Sequence, residues 1–162
     1  MTPEQVQLVR SSFAKVAAIK DAAAALFYRR LFELDPGLRP LFKGDMAAQR
    51  AKLMAALGAV VGSLDRLENI LPLVRALGRR HAAYGVRPDH YATVGQALIW
   101  TLEQALGTDF TRDTRRAWTD AYGHLAWGDD RRHGRRPGSR AGGIGVAHRT
   151  SKRPTCPGAL LI

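Results

Sequence analysis

Apolar residues in the first 127 positions recur every three or four residues, with little of the two-residue alternation that marks strands, and this predicts helices throughout. Thr2-Pro3-Glu4-Gln5 predicts a helix start, with Thr2 as N-cap, Pro3 at the first helical position and Gln5 placed for a capping box. The first helix is expected to run to about Lys20. The second covers about 21–34, where Ala24, Phe27, Tyr28 and Leu31 share a face, and Asp35-Pro36-Gly37 ends it because a residue before proline disfavours helix. A short turn through Leu41 and Phe42 follows. A helix over about 45–62 puts Gln49, Leu53, Ala56, Leu57 and Val60 on one stripe. The helix over about 69–82 carries Ile70, Val74, Leu77 and His81 at offsets of 0, 4, 7 and 11, while Arg79 and Arg80 point elsewhere. Gly85-Val86-Arg87-Pro88 breaks the chain and starts a helix over about 88–106, with Tyr91, Val94, Leu98 and Leu102 inward. Gly107 to Phe110 form a turn, and Thr111 begins a last helix whose stripe is Trp118, Ala121, Tyr122 and Leu125. The fold class expected is all-α, with no internal repeat.

Composition divides the chain. Its 162 residues suit one domain with a real core, and its formal charge of +11 taken whole points to a polyanion partner. Residues 128–162, however, hold eight Lys or Arg and two Asp, a net of +6, which leaves 17 basic and 12 acidic residues, a net of +5, in 1–127. The same last 35 residues contain seven of the 16 Gly, three of the eight Pro and the single Cys, Cys156. One cysteine allows neither an internal disulfide nor a cysteine-based zinc cluster. No apolar run reaches membrane-span length and the N-terminus lacks the pattern of a signal peptide, so the expected location is cytoplasmic, away from membranes.

Two helices each place one polar residue on an apolar stripe, Gln49 and His81. Burying either unpaired costs about 1–3 kcal/mol, so each needs a partner. One reading makes His81 a core histidine bonded to a backbone carbonyl, and Gln49 an edge residue. The other notes that a single imidazole facing a wide apolar surface suits a planar apolar cofactor whose metal takes one nitrogen ligand.

Phe27-Tyr28-Arg29-Arg30-Leu31-Phe32, Pro36, Leu41-Phe42, Gln49-Arg50-Ala51-Lys52-Leu53, Leu71-Pro72, Arg80-His81, Pro88-Asp89-His90-Tyr91 and Val94-Gly95 follow in an order and spacing that resembles a bacterial globin. Within that family the chain is similar to the haem domain of flavohaemoglobins and to single-domain haemoglobins, over residues 1–127. The resemblance implies a globin fold, a three-over-three helical sandwich, carrying haem b, iron protoporphyrin IX. It makes His81 the proximal ligand of the haem iron and Phe42 the aromatic residue against the porphyrin, with Leu77 and Tyr91 also at the cofactor. Tyr28 and Gln49 become the distal polar pair that donates hydrogen bonds to a bound gas in a dry pocket, and Leu53 the apolar wall. Tyr91 matches a tyrosine that joins a glutamate in orienting the ligand imidazole; core packing explains it equally well. That glutamate would fall at position 135, which is Arg135 here.

The remaining histidines are expected to do less, His90 solvated, His124 partly buried, and His133 and His148 in the tail. Tyr84 is a candidate spacer at the haem edge, and Arg79 and Arg80 a solvated face within reach of a propionate. After Ala126 the resemblance stops, and Gly134 and Pro137 oppose helix, so the last helix is expected to be cut short. The basic tail, 128–162, is expected to be irregular and disordered, the product of a reading-frame shift, with nucleic-acid binding as its functional alternative. The function implied for the whole is reversible binding of oxygen or another diatomic gas, nitric oxide or carbon monoxide. The enzymatic alternative is nitric oxide dioxygenation with an external reductase.

Overall fold

The structure is a computed structural model that describes residues 1–126, apart from the side chains of Leu67, Ile70 and Leu73. The expectations for residues 128–162, including Arg135 and the shortened last helix, and the place of Ile70 on its stripe lie outside the described residues.

Six α-helices and three short 3-10 turns make up the described chain: α1 Pro3–Ala17, α2 Lys20–Leu34, α3 Met46–Gly62, α4 Leu67–Ala83, α5 Pro88–Leu106 and α6 Arg112–Ala126. Most boundaries follow from local chemistry. The Thr2 hydroxyl accepts from the Gln5 amide at 3.3 Å while Gln5 Oε1 accepts from the Thr2 amide at 2.9 Å, the reciprocal capping box that the sequence predicts. Asp35 takes an extended conformation and accepts from the Gly37 amide at 3.0 Å, which ends α2 and opens the turn Pro36–Leu41. Asp45 caps α3 by accepting from Ala47 and Ala48 at 3.1 and 3.2 Å.

One boundary differs. Helix α1 stops at Ala17 instead of near Lys20, because Ile19 adopts φ −118°, ψ 33° and forms a corner from which α2 starts in a new direction. The corner leaves Ile19 as the large apolar side chain most open to solvent among the described residues.

Helix α2 packs on α5 and α3, α1 packs on α6, α3 and α5, and α5 packs on α6. Val9, Leu31 and Leu102 are fully enclosed among these five helices. At the α1–α6 contact the buried polar groups are satisfied: Trp118 Nε1 donates to Ser12 Oγ at 2.9 Å, and Ser12 donates to the Leu8 carbonyl at 2.7 Å. At the α5–α6 crossing Gly95 is required, since a Cβ there would lie 2.8 Å from Tyr122 Cε1. Helix α4 is the exception to this close packing. Its backbone comes near the 3-10 turn Leu64–Arg66 that leads into it and makes only sparse approaches to the other helices. Val74, Leu77 and His81, the described members of its apolar stripe, are half-buried, not enclosed.

Candidate functional site

Helix α2 and the turn after it build an aromatic cluster. Tyr28 is buried, with the Phe27 ring edge-on at 5.1 Å and the Phe42 ring edge-on at 5.4 Å. Phe32, one helical turn beyond Tyr28, closes the group at 6.1 Å from Tyr28 and 5.4 Å from Phe42, and the Arg39 guanidinium covers its outer face at 5.2 Å. Phe32 was given no role by pattern alone, although its four-residue spacing from Tyr28 was the available signal. From α3, Gln49 and Leu53 are both buried, and Gln49 lies near Tyr28.

The Tyr28 hydroxyl is buried and has no hydrogen-bond partner of good geometry. Burial pushes its pKa up to about 12, although the neighbouring Gln49 side chain pulls the other way. The phenol therefore keeps its proton at neutral pH and holds a donor with nothing well placed to receive it. An apolar, aromatic enclosure around an unused donor has the chemistry to stabilise a small ligand with developing negative charge.

Helices α4 and α5 supply the second group. His81, in the last turn of α4, has its Nε2 atom buried without a hydrogen-bond partner, and burial lowers its pKa below the usual value of 6.5. Its ring meets the Tyr91 ring edge-on at 6.2 Å. Tyr91 is held in turn from α6, whose Tyr122 hydroxyl donates to the Tyr91 carbonyl at 2.7 Å. Burial raises the phenol pKa of both tyrosines. A neutral imidazole with a buried, unused nitrogen has the chemistry of a metal ligand.

The other sequence candidates separate. Leu77 shares the half-buried face of α4 with His81, and Tyr84 caps the C-terminus of that helix, half-buried. Arg79 and Arg80 are exposed, as a solvated face requires. His90 is buried and not solvated: its Nδ1 accepts the Arg87 backbone amide at 3.1 Å, so it serves the capping of α5. The signal was its position two residues after Pro88, where a side-chain acceptor reaches back to the N-cap. His124 is exposed instead of partly buried, because it falls beside the α6 stripe and not on it.

Leaving a buried polar atom unsatisfied in a finished protein costs about 1–3 kcal/mol, and three side-chain atoms are in that position among the described residues: the Tyr28 hydroxyl, His81 Nε2 and Arg30 Nε, the last on a guanidinium that lies over the Trp100 ring at 5.1 Å. Haem fits the first two. His81 Nε2 would ligate the haem iron, the Tyr28 hydroxyl would donate a hydrogen bond to a gas held there, and the half-buried apolar face of α4 would take the flat apolar ring.

A small all-helical body that carries a buried phenol–amide pair on α2 and α3 and an unpaired imidazole on α4 has the side chains a metal-bearing planar cofactor needs. The chain belongs to the globin family: the Globin family model matches residues 25–127. Among curated proteins it is 31% identical over 124 residues to a flavohemoprotein of Bacillus subtilis, covering 75% of this chain and 31% of that protein. It is 30% identical to neuroglobin of Tetraodon nigroviridis, covering 75% of this chain and 86% of that protein. Among solved structures, an engineered carbene transferase built on a proposed nitric oxide dioxygenase of Rhodothermus marinus superposes with a TM-score of 0.69 at 33% identity, covering 78% of this chain and 88% of that one. A bacterial globin of Campylobacter jejuni gives 0.68 at 26% identity, covering 77% and 91%. The chain spans about a third of the flavohemoprotein's length. It is a haem-binding, gas-binding globin with likeness to flavohaemoglobin haem domains and to bacterial globins. No helix among the described residues is long and apolar enough to cross a membrane.

Proposed function

We propose that the chain holds a b-type haem through His81 and binds oxygen, or another diatomic gas, reversibly, as a protein of the cytoplasm. The observation that carries this reading is that His81 Nε2 and the Tyr28 hydroxyl are both buried without partners. When bound, haem supplies an iron with one coordination position for a diatomic gas. His81 holds that iron from the α4 side, and the Tyr91 ring limits how far the imidazole turns. Tyr28 donates its hydroxyl proton toward the gas, Gln49 adds an amide donor, and the buried side chain of Leu53 keeps water from competing. Phe42 and Leu77 provide apolar contact for the porphyrin.

The test is a visible spectrum of haem-reconstituted protein with its His81→Ala variant. A Soret band in the parent that is lost or shifted in coordination in the variant is expected, and an unchanged spectrum would overturn the assignment of His81.

The likeness to flavohemoproteins and to the Rhodothermus marinus protein, together with the Tyr28–Gln49 pair, favours a second reading, nitric oxide dioxygenation. It requires electrons from a separate reductase. Consumption of nitric oxide by the loaded chain in the presence of oxygen and a reductant, measured by stopped flow, distinguishes this from reversible binding.

A further inference from the structure

Between α1, α2 and α3 the surface opens into a cavity of about 330 Å³, at the small end of the range that holds organic molecules. Most of its lining is apolar. Ala47, Ala51 and Ala55 line it from α3, where their four-residue spacing puts three exposed methyl groups on one face. Phe13 lines it from α1, and the buried Met54 side chain from α3. A wall of methyl groups lets a planar ring lie against it, and a thioether makes favourable contacts with an aromatic edge. A rigid ring also surrenders no internal rotation on binding, as an alkyl chain of similar size does.

Three charged side chains complete the lining, Lys20, Asp21 and Arg50. Lys20 is exposed, and its ammonium has no partner among the described residues. Arg50 donates from Nε to Asp21 Oδ1 at 3.0 Å, and the Nη end of its guanidinium is left without an acceptor among the described residues. The Arg50 side chain is 28% exposed and that of Asp21 77%, so the cation is the more enclosed partner of the pair. Two cations and one carboxylate leave a net charge of +1 beside the apolar wall. That balance complements a monoanion and repels a cation, and the forked end of a guanidinium matches the two oxygens of a carboxylate.

We infer that this cavity is a binding site for a small aromatic monocarboxylate, with the ring among Phe13, Ala47, Ala51 and Met54 and the carboxylate between the Lys20 ammonium and the Nη end of Arg50. Asp21 keeps the Arg50 Nε and so holds the guanidinium at the cavity while its other donors turn to the ligand. Lys20 supplies the charge that Asp21 does not cancel. The occupant bridges α1, α2 and α3 at the surface. None of these side chains belongs to the Tyr28, Gln49 and His81 group, so the inference stands apart from the haem and gas reading.

The probe is 1-naphthoate, titrated into the full-length protein with and without haem and followed by NMR. Saturable shifts of the Ala47, Ala51 and Met54 methyls are expected in both forms. Two variants at exposed positions separate the ring from the charge, with folding checked by circular dichroism. Ala51→Phe, which fills the cavity, is expected to weaken binding at least tenfold, read at Ala47 and Met54. Lys20→Glu, which reverses the free charge, is expected to weaken it several-fold. Naphthalene-1-methanol, the same ring without the charge, and octanoate, the same charge without the ring, are each expected to bind the parent several-fold more weakly than 1-naphthoate. The site is overturned by the absence of saturable shifts at these three methyls in the parent, or by binding undiminished in either folded variant. Equal affinity for the alcohol overturns the anionic class, and equal affinity for octanoate the aromatic one. The spectrum of His81→Ala decides the haem reading separately.

Discussion

Tyr28 and His81 occupy positions that make little sense as packing alone, because each buries a polar atom without a partner, whereas buried Trp118 and Thr101 have theirs. Tyr28→Phe therefore has opposite effects in two states of the protein. Without haem the variant removes an unpaired buried hydroxyl, and chemical denaturation is expected to show stability equal to the parent or higher by about 1–3 kcal/mol. With haem it removes a donor to a partly charged gas, a bond of about 1.5–3 kcal/mol, and oxygen release is expected to accelerate about tenfold or more. Release no faster than in the parent would count against the distal role. The acid side belongs to His81. Burial lowers its folded pKa below 6.5, so the unfolded chain takes up the proton first as pH falls, and the stability present above about pH 6.5 is lost as pH drops through the folded value. The same proton occupies the nitrogen needed for iron. Haem retention, followed by the Soret band, is expected to be flat around neutral pH and to fall below about pH 6.5. Tyr28 acts at the alkaline end. Its raised folded pKa keeps the proton bound longer than in the unfolded chain, so its contribution is complete below about pH 10 and lost as pH rises to about 12.

At the scale of helices, the contacts that place the site are backbone contacts. Gly95 lets α6 approach α5 until Tyr122 reaches the Tyr91 carbonyl, and Tyr91 sits against His81. Gly95→Ala forces its new carbon to 2.8 Å from the Tyr122 ring and is expected to cost about 1–3 kcal/mol in urea denaturation, while moving the Soret band through Tyr91. A loss of stability with an unmoved band would mean that Tyr91 is core and no more. The helices were legible where a residue with local chemistry marks the end, as Thr2, Asp35, Asp45 and Arg87-Pro88 do. The corner at Ala18–Ile19 was hidden, because it lies in an alanine-rich run without Gly or Pro, and tertiary packing alone selects the break. His90 was hidden for a related reason. Counting faces of a helix assigns its first turn to solvent, whereas the backbone amide of Arg87 claims the imidazole as a cap. Tyr28, Gln49 and Leu53 are buried as their stripes predict, and Phe42, expected in a turn, is buried as well. Leu77, His81 and Tyr91 are only half-buried, since face counting does not show how closely two helices approach.

For the molecule as a whole, α4 is the element that the rest of the fold does not finish. Five helices share a closed core, while α4, a 17-residue amphipathic helix, keeps Val74, Leu77 and His81 half-open and touches the body sparsely. A helix of that length is marginal alone in water, and most helical stability comes from burying its apolar face. On the proposed reading haem would supply the missing contact, and a ligand that binds only the folded chain stabilises it in proportion to the logarithm of its concentration over its dissociation constant. Local opening should be cheapest where buried contacts are fewest. In the haem-free protein, amides of α4 are therefore expected to exchange hydrogen much faster than those of α2 and α5, which pack against each other. Adding haem is expected to slow exchange most in α4, and His81→Ala should abolish most of that selective protection while α2 and α5 stay as they were. Equal protection of α4 and α5 without haem would show that α4 is already held by protein contacts. In that case the apolar face bearing His81 would need no cofactor to complete it, and the assignment of α4 as the haem-holding helix would fail together with the prediction.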